Sequence, residues 1–446
     1  MPPTAPRARV HFRSLGCPKN RLDSEVMIGT LALAGYAIAE RIDDADVVVV
    51  NTCSFIESAR EESIDAILEV ADLRESGGLR GLVVAGCLPQ RYGADLAKEL
   101  PEVDVFVGTG RFPEIATILD DALAGKGRGV YVDAGRTHLY DETEPRVLIG
   151  PTHSAYLKIS EGCDRVCAFC AIPGIRGKFQ SRSVESVVAE ARQLAEAGVR
   201  ELNLVAQDAT AFGKDRTGRP DLAGLLRALD EVEGLDWIRP LYLYPTAVTD
   251  ELVRVLASGR RVLPYVDVPL QHASDAVLRA MKRGATESKQ RALVEKLRSE
   301  VPGLTLRTTF IVGFPGETDA DFERLLGFVR EARFDRVGVF RYSDEEGTTA
   351  LGLANKVPRK VARDRHRELV RVQHEIMREK LEGLVGSRVT VLVDEDGRRA
   401  RGRMASQAPE IDGVVFLKGP VRAGELREVR LSRARDVDLE GVVEAS

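Results

Sequence analysis

The chain has 446 residues, 44% of them hydrophobic and 30% charged, with a formal net charge of −5. That length exceeds one ordinary core and predicts two to four domains, and the composition is that of a globular protein. The acidic balance excludes a protein dominated by non-specific nucleic-acid binding. No apolar run approaches the roughly eighteen residues of a membrane span. Residues 1–10 carry prolines and arginines but no apolar signal stretch, so a cytoplasmic location is expected.

The first region, residues 8–124, alternates short apolar runs with helical patterns. Arg9–Leu15, Asp46–Thr52, Gly81–Ala85 and Val103–Val107 read as strands; Ser24–Ala34, Ser58–Leu73 and Gly93–Glu99 carry apolar residues near helical period. Continuous apolar strands separated by helices predict an open parallel α/β sheet. Cys17, Cys53 and Cys87 each fall just past the carboxyl end of one such strand, the edge where ligands bind in these sheets. A free cysteine is ordinarily a small buried hydrophobe. Three in equivalent positions predict a shared site. In a long chain of cytosolic character, metal or redox chemistry is a better use of six cysteines than disulfides.

Residues 125–150 contain Gly125, Gly127, Gly129, Gly135 and Pro145 with little periodicity, and read as a linker. Over residues 151–383 the strand–helix alternation resumes. Strand candidates are Ala155–Ser160, Glu201–Ala206, Ile238–Tyr244, Tyr265–Leu270, Leu304–Val312 and Arg336–Tyr342. Six βα units predict a partial (β/α) barrel whose chemistry sits at the strands' carboxyl ends. The first strand leads into Cys163-Asp164-Arg165-Val166-Cys167-Ala168-Phe169-Cys170. Three thiolates this close hold a soft metal or an iron–sulfur cluster with one iron left open. A closed zinc site needs a fourth ligand, which Asp164 or a remote histidine would have to supply. Gln207-Asp208, Gln271-His272 and the Gly313–Thr318 turn follow later strands and face the same mouth.

A charged helix over Arg359–Glu382 leads to residues 384–446. There Arg388–Val393, Val414–Leu417 and Glu428–Leu431 suggest a small β-barrel. From Arg388 onward eleven Lys or Arg face eleven Asp or Glu. A module that grips RNA would be basic.

Together these residues resemble the radical S-adenosylmethionine (SAM) enzymes and, among them, the methylthiotransferases. The resemblance rests on both cysteine triplets in this order and on the last barrel, which is similar to a TRAM domain; it spans almost the whole chain. Asp267–His272, Arg341–Thr348 and Ala408–Val415 look like the RimO branch, which modifies an aspartate of small-subunit ribosomal protein S-twelve. The tRNA-modifying MiaB branch usually carries Gln-Ser where Gln271-His272 stands.

The resemblance implies that Cys163, Cys167 and Cys170 hold a 4Fe–4S cluster whose fourth iron chelates SAM. Reduction would cleave SAM to a 5′-deoxyadenosyl radical that abstracts hydrogen from the aspartate β-carbon. Cys17, Cys53 and Cys87 would hold a second 4Fe–4S cluster, carrying the sulfur that a further SAM methylates. Phe169, Gln207, Arg307 and Gly313 are candidate SAM contacts; Gln271, His272 and Asp208 are candidate catalytic residues. Partners would be the ribosomal protein, an electron donor such as flavodoxin or ferredoxin, and a sulfur donor, with no membrane. The alternative is a tRNA methylthiotransferase acting on a modified adenosine. Removal of Arg388–Ser446 is expected to spare SAM cleavage while reducing modification of the protein target.

Overall fold

The computed structural model describes residues 7–75, 77–126, 129–133, 135 and 138–444. Residues 1–6, Gly127 of the expected linker, and residues 445–446 lie outside them. The N-terminal sheet is fully parallel. Its strands are β1 (Arg9–Ser14), β2 (Ala37–Ile38), β3 (Val47–Thr52), β4 (Gly81–Gly86), β5 (Val105–Val107) and β6 (Gly129–Tyr131), in the order β2-β1-β3-β4-β5-β6. The four valines of β3 explain why this sheet is central to its domain. Val47 and Val49 pack with Met27 and Ile115 on one face, and Val48 and Val50 with Ile67 and Val70 on the other. Both faces are therefore covered, as a parallel sheet requires. β6 falls inside the expected linker, its three residues being too few to show a period. The first helix, Pro18–Leu33, starts before the expected Ser24, with Pro18 in its first turn.

The central region supplies β7 (Ser154–Lys158), a short antiparallel pair of β8 (Ser160–Glu161) and β9 (Gln180–Ser181), then β10 (Glu201–Val205), β11 (Trp237–Pro240), β12 (Tyr265–Asp267), β13 (Thr305–Val312) and β14 (Arg336–Arg341). Parallel ladders β11-β10-β7 and β12-β13-β14 meet through a bridge between Ile238 and Val262. The result is the unclosed six-stranded barrel read from the sequence. The N-terminal domain docks on it through the Pro18–Leu33 helix, whose Leu22 and Val26 pack with Tyr156, Val205 and Leu241.

The last five strands, β15 (Arg388–Glu395), β16 (Arg401–Met404), β17 (Val415–Lys418), β18 (Leu426–Arg435) and β19 (Asp438–Val443), close a small barrel. The short, charge-rich β16 and β19 gave no strand pattern in the sequence. The loop after β16 enters the amino-terminal end of the central barrel, where Gln407 and Ala408 are fully buried. Arg239 donates to the carbonyls of Ala405 at 2.7 Å and Gln407 at 3.2 Å, and the Tyr265 hydroxyl to Asp412 at 2.7 Å. Glu201 pairs there with Arg403 at 2.7 Å and Arg239 at 3.1 Å. Burial alone would raise this carboxyl, but Arg403 and then Arg239 hold it down at about 2. Among the described residues no helix is long and apolar enough to cross a membrane.

Candidate active site

Strands β1, β3 and β4 are neighbours in the sheet, so Cys17, Cys53 and Cys87 at their carboxyl ends come side by side. Gly86 sets the last of them: its φ is +101°, and a Cβ there would lie 2.3 Å from Asn51 Oδ1 and 2.6 Å from the Thr52 carbonyl. The Asn20 amide donates to the Thr52 carbonyl at 2.7 Å, and the Ser54 hydroxyl to the Cys87 carbonyl at 2.9 Å. Burial pushes the Cys87 thiol up to about 12, against the opposing pull of Arg176. Burial raises Cys53 as well, and the nearby Cys17 adds to the shift.

The second trio lies on one loop past β7. Gly162, with φ +77°, turns the chain into it; a Cβ there would lie 2.1 Å from the Lys178 carbonyl. The Arg165 backbone N–H donates to Cys163 Sγ at 3.4 Å, and Ala168 N–H to the Met281 carbonyl at 3.0 Å. Arg283 donates to Cys167 Sγ at 3.3 Å, is held by the Pro269 carbonyl at 2.6 Å, and stacks 4.3 Å from the Tyr244 ring. Burial pushes Cys163 up to about 11 and Cys170 to about 12. Asp164 accepts from the Phe179 N–H at 3.1 Å rather than turning toward the thiols.

The remaining candidates divide into a mouth group and an interior one. Asp208 accepts from Arg165 Nε at 2.7 Å. Gln207 donates to Glu161, and its Oε1 is buried without a protein partner, as is Oε1 of Gln271. Gln271 holds φ +73°. His272 accepts from the Ser274 N–H at 2.9 Å, with Nε2 3.8 Å from Glu317. Gly313 donates its N–H to Glu317. Phe169 packs with Ala168, Ile311 and Phe314. Arg307 is the interior residue, pairing with Asp267 at 2.7 Å.

The first trio meets the segment that follows the second. Cys87 packs against Ala171 and against Ile175 of the short helix Ile172–Arg176 that follows Cys170. A cavity of about 530 Å³ opens beside Cys167 and Cys170, lined also by Arg91, Tyr92, Val166 and Lys282. Glu345 holds the lining residue Arg91, accepting from it at 2.8 Å, and accepts from Arg60 as well. A larger cavity of about 870 Å³ lies between Val301–Thr305 and Arg333–Arg336 of the central region, the end of the Arg359–Gly383 helix and Met404, and none of the six cysteines lines it. Sequence reasoning missed Arg176 and Arg283 and gave Glu345 no role beyond its place in the Arg341–Thr348 stretch; the only sequence trace of Arg176 was a charge six residues past Cys170.

A closed zinc site needs four ligands around one ion. Asp164, the candidate fourth ligand beside the second trio, is committed to the Phe179 N–H. Each trio instead offers three thiols and an arginine N–H on one sulfur, with orphaned amide oxygens at the barrel mouth. That donor set suits an iron–sulfur cluster with one iron left for a ligand.

Three family models match in succession: residues 9–108 an uncharacterized protein family, UPF0004; residues 157–329 the Radical SAM superfamily; and residues 385–443 the TRAM domain. The chain is 49% identical over 444 residues to the ribosomal protein uS12 methylthiotransferase RimO of Myxococcus xanthus (strain DK1622), covering 98% of this chain and 92% of the relative. It is 51% identical over 442 residues to the protein of the same name from Anaeromyxobacter sp. (strain K), covering 98% and 93%. Among solved structures it resembles TsrM from Kitasatospora setae, a radical SAM methyltransferase with cobalamin and a 4Fe–4S cluster bound. The TM-score is 0.56 at 15% identity, over 77% of this chain and 76% of that one. A likeness so remote in sequence shows a shared fold alone.

Proposed function

The chain belongs to the family of ribosomal protein uS12 methylthiotransferases, RimO, and from that premise we propose that it transfers a methylthio group to the β-carbon of an aspartate in that ribosomal protein. What supports this reading above all is the contact between Cys87 of one trio and the helix that follows Cys170 of the other. Cys163, Cys167 and Cys170 would hold a 4Fe–4S cluster that would bind SAM. Cys17, Cys53 and Cys87 would hold a second cluster that would supply the sulfur. Bound there, these groups supply the one-electron chemistry that activates an inert C–H bond, which no side-chain base achieves.

The protein's own residues do the rest. The buried thiols must lose their protons when metal enters, so loading releases protons. Arg283 and the Arg165 N–H then donate to the sulfurs of one site. The cavity beside Cys167 admits the substrate loop, and its cations Lys282 and Arg165 suit an aspartate carboxylate. Gln207, Phe169 and Gly313 are the SAM contacts; Asp208, Gln271 and His272 orient the reacting groups. Arg307, committed to Asp267, steadies the barrel interior. A reductant of the flavodoxin or ferredoxin type and a sulfur donor complete the cycle.

The test is the mass of ribosomal protein uS12, and of tRNA nucleosides, from cells lacking this chain. The ribosomal protein is expected to lose its methylthio group while the nucleosides keep theirs. The reverse pattern would transfer the assignment to a tRNA adenosine.

A further inference from the structure

Arg176 belongs to the central domain, yet its guanidinium is turned to the N-terminal thiols. The side chain is 3% exposed. Its Nε–H donates to Cys87 Sγ at 3.3 Å, Nη1 to Asp23 at 2.7 Å and Glu161 at 3.2 Å, and Nη2 to Asn20 Oδ1 at 2.5 Å. Lys158, fully buried, donates to the same two carboxylates, to Asp23 at 2.5 Å and Glu161 at 2.7 Å. Two cations therefore face two carboxylates. Those carboxylates offset part of the Arg176 charge, and Cys87 meets both the remaining positive charge and a directed N–H. Three oxygens from two domains fix the planar fork, so the donor has no freedom to turn away.

Hydrogen bonds to cluster sulfurs are one of the protein's levers on reduction potential. They stabilise the reduced form more, because electron density on the sulfurs is then greater. We infer that Arg176 is a positioning residue that sets the reduction potential of the group held by Cys17, Cys53 and Cys87, by donating its Nε–H to Cys87. The inference rests on the ligand assignment proposed above. It makes the sulfur-carrying site dependent on domain docking: a donor from the central domain reaches Cys87 only when the two domains are seated together.

The test uses full-length protein carrying C163A, C167A and C170A, reconstituted anaerobically so that only the N-terminal site takes up iron. R176K keeps a cation for Asp23 and Glu161 but removes the Nε–H aimed at Cys87. At the ambient potential where the parent is half reduced, the reduced-to-oxidised ratio is expected to fall at least tenfold in R176K, about 59 mV for a one-electron couple. The iron–thiolate stretching frequencies should rise in the same variant, as a sulfur relieved of a donor binds iron more strongly. A loaded R176K with parental potential and frequencies overturns the inference. A second measurement needs no substitution. With heavy-nitrogen arginine in the parent protein, pulsed EPR of the reduced site should show a coupled arginine nitrogen; its absence also overturns the inference. A parent that takes up no iron fails earlier, and removes the ligand assignment together with this inference.

Discussion

At Gly162 one hydrogen atom, where any other residue carries a Cβ, decides whether Cys163 reaches its loop. The φ of +77° costs an L side chain about 1–2 kcal/mol. The Lys178 carbonyl, 2.1 Å from an added Cβ, forces backbone to move as well. G162A is therefore expected to destabilise the protein by roughly 2–4 kcal/mol. It should also cost the loop its iron while the N-terminal trio keeps its own. Iron analysis with a thermal unfolding curve checks both, and full loading of the variant would contradict the steric argument. Residues of this kind were half legible in the sequence. The six cysteines stood out by spacing and by their seats at strand ends. Arg176 and Arg283 did not, because a single cation carries no period and its sulfur partner lies in a remote segment.

At the scale of an element, the loop after β16 corrects one expectation. Removal of Arg388–Ser446 was expected to spare SAM cleavage. Yet Gln407 and Ala408 are buried within the central barrel, and Arg403 neutralises Glu201 at the start of β10. Deleting Arg388–Ser446 would remove Arg403 and leave Glu201 with Arg239 and the Ser154 hydroxyl. Breaking a buried pair from one side costs about 3–5 kcal/mol. SAM cleavage is thus expected to fall along with modification of the ribosomal protein, and parental cleavage by the truncated chain would refute this. A pH dependence follows as well. Glu201 titrates at about 2 in the folded protein and near 4.3 when unfolded. Between those values the unfolded state binds more protons, so stability falls as pH drops from about 4.5 to about 2. The loss amounts to roughly 3 kcal/mol. E201Q should be weaker at neutral pH but lack this acid-dependent part, as denaturant titrations across that range would show. No sequence pattern announces such a plug. Its residues are polar and irregular, and become buried only because a second domain presents matching arginines and tyrosines.

Across the whole molecule, the two trios sit in different domains, and the proposed function gives each its own task. The triple variant C17A, C53A and C87A is expected to keep reductive SAM cleavage and to form no methylthiolated product. C163A, C167A and C170A together should abolish the cleavage itself and leave about four of about eight irons. Normal product from the first variant, or cleavage by the second, would reject that division. The architecture behind it was legible at this scale. Valine runs marked the N-terminal sheet, and strand–helix alternation marked the barrel. The docking of the two domains was not, since Glu345 with Arg60 and Arg91, and Asp23 with Arg176, meet only in three dimensions.

The contrast between a contiguous trio and a dispersed one also bears on metallation during biogenesis. Cys163, Cys167 and Cys170 lie within eight residues, so drawing them together closes only short loops. Cys17, Cys53 and Cys87 come together only after β1, β3 and β4 have paired and the intervening crossovers have closed. A nascent or unfolded chain thus presents a usable thiolate trap at the later site before the earlier one exists, reversing the order of synthesis. Under iron limitation, chains should accumulate with the radical site filled and the sulfur-carrying site empty. Site-resolved Mössbauer spectra at substoichiometric iron, read against the two triple variants, would reveal that order; simultaneous filling would show that folding precedes capture at both sites.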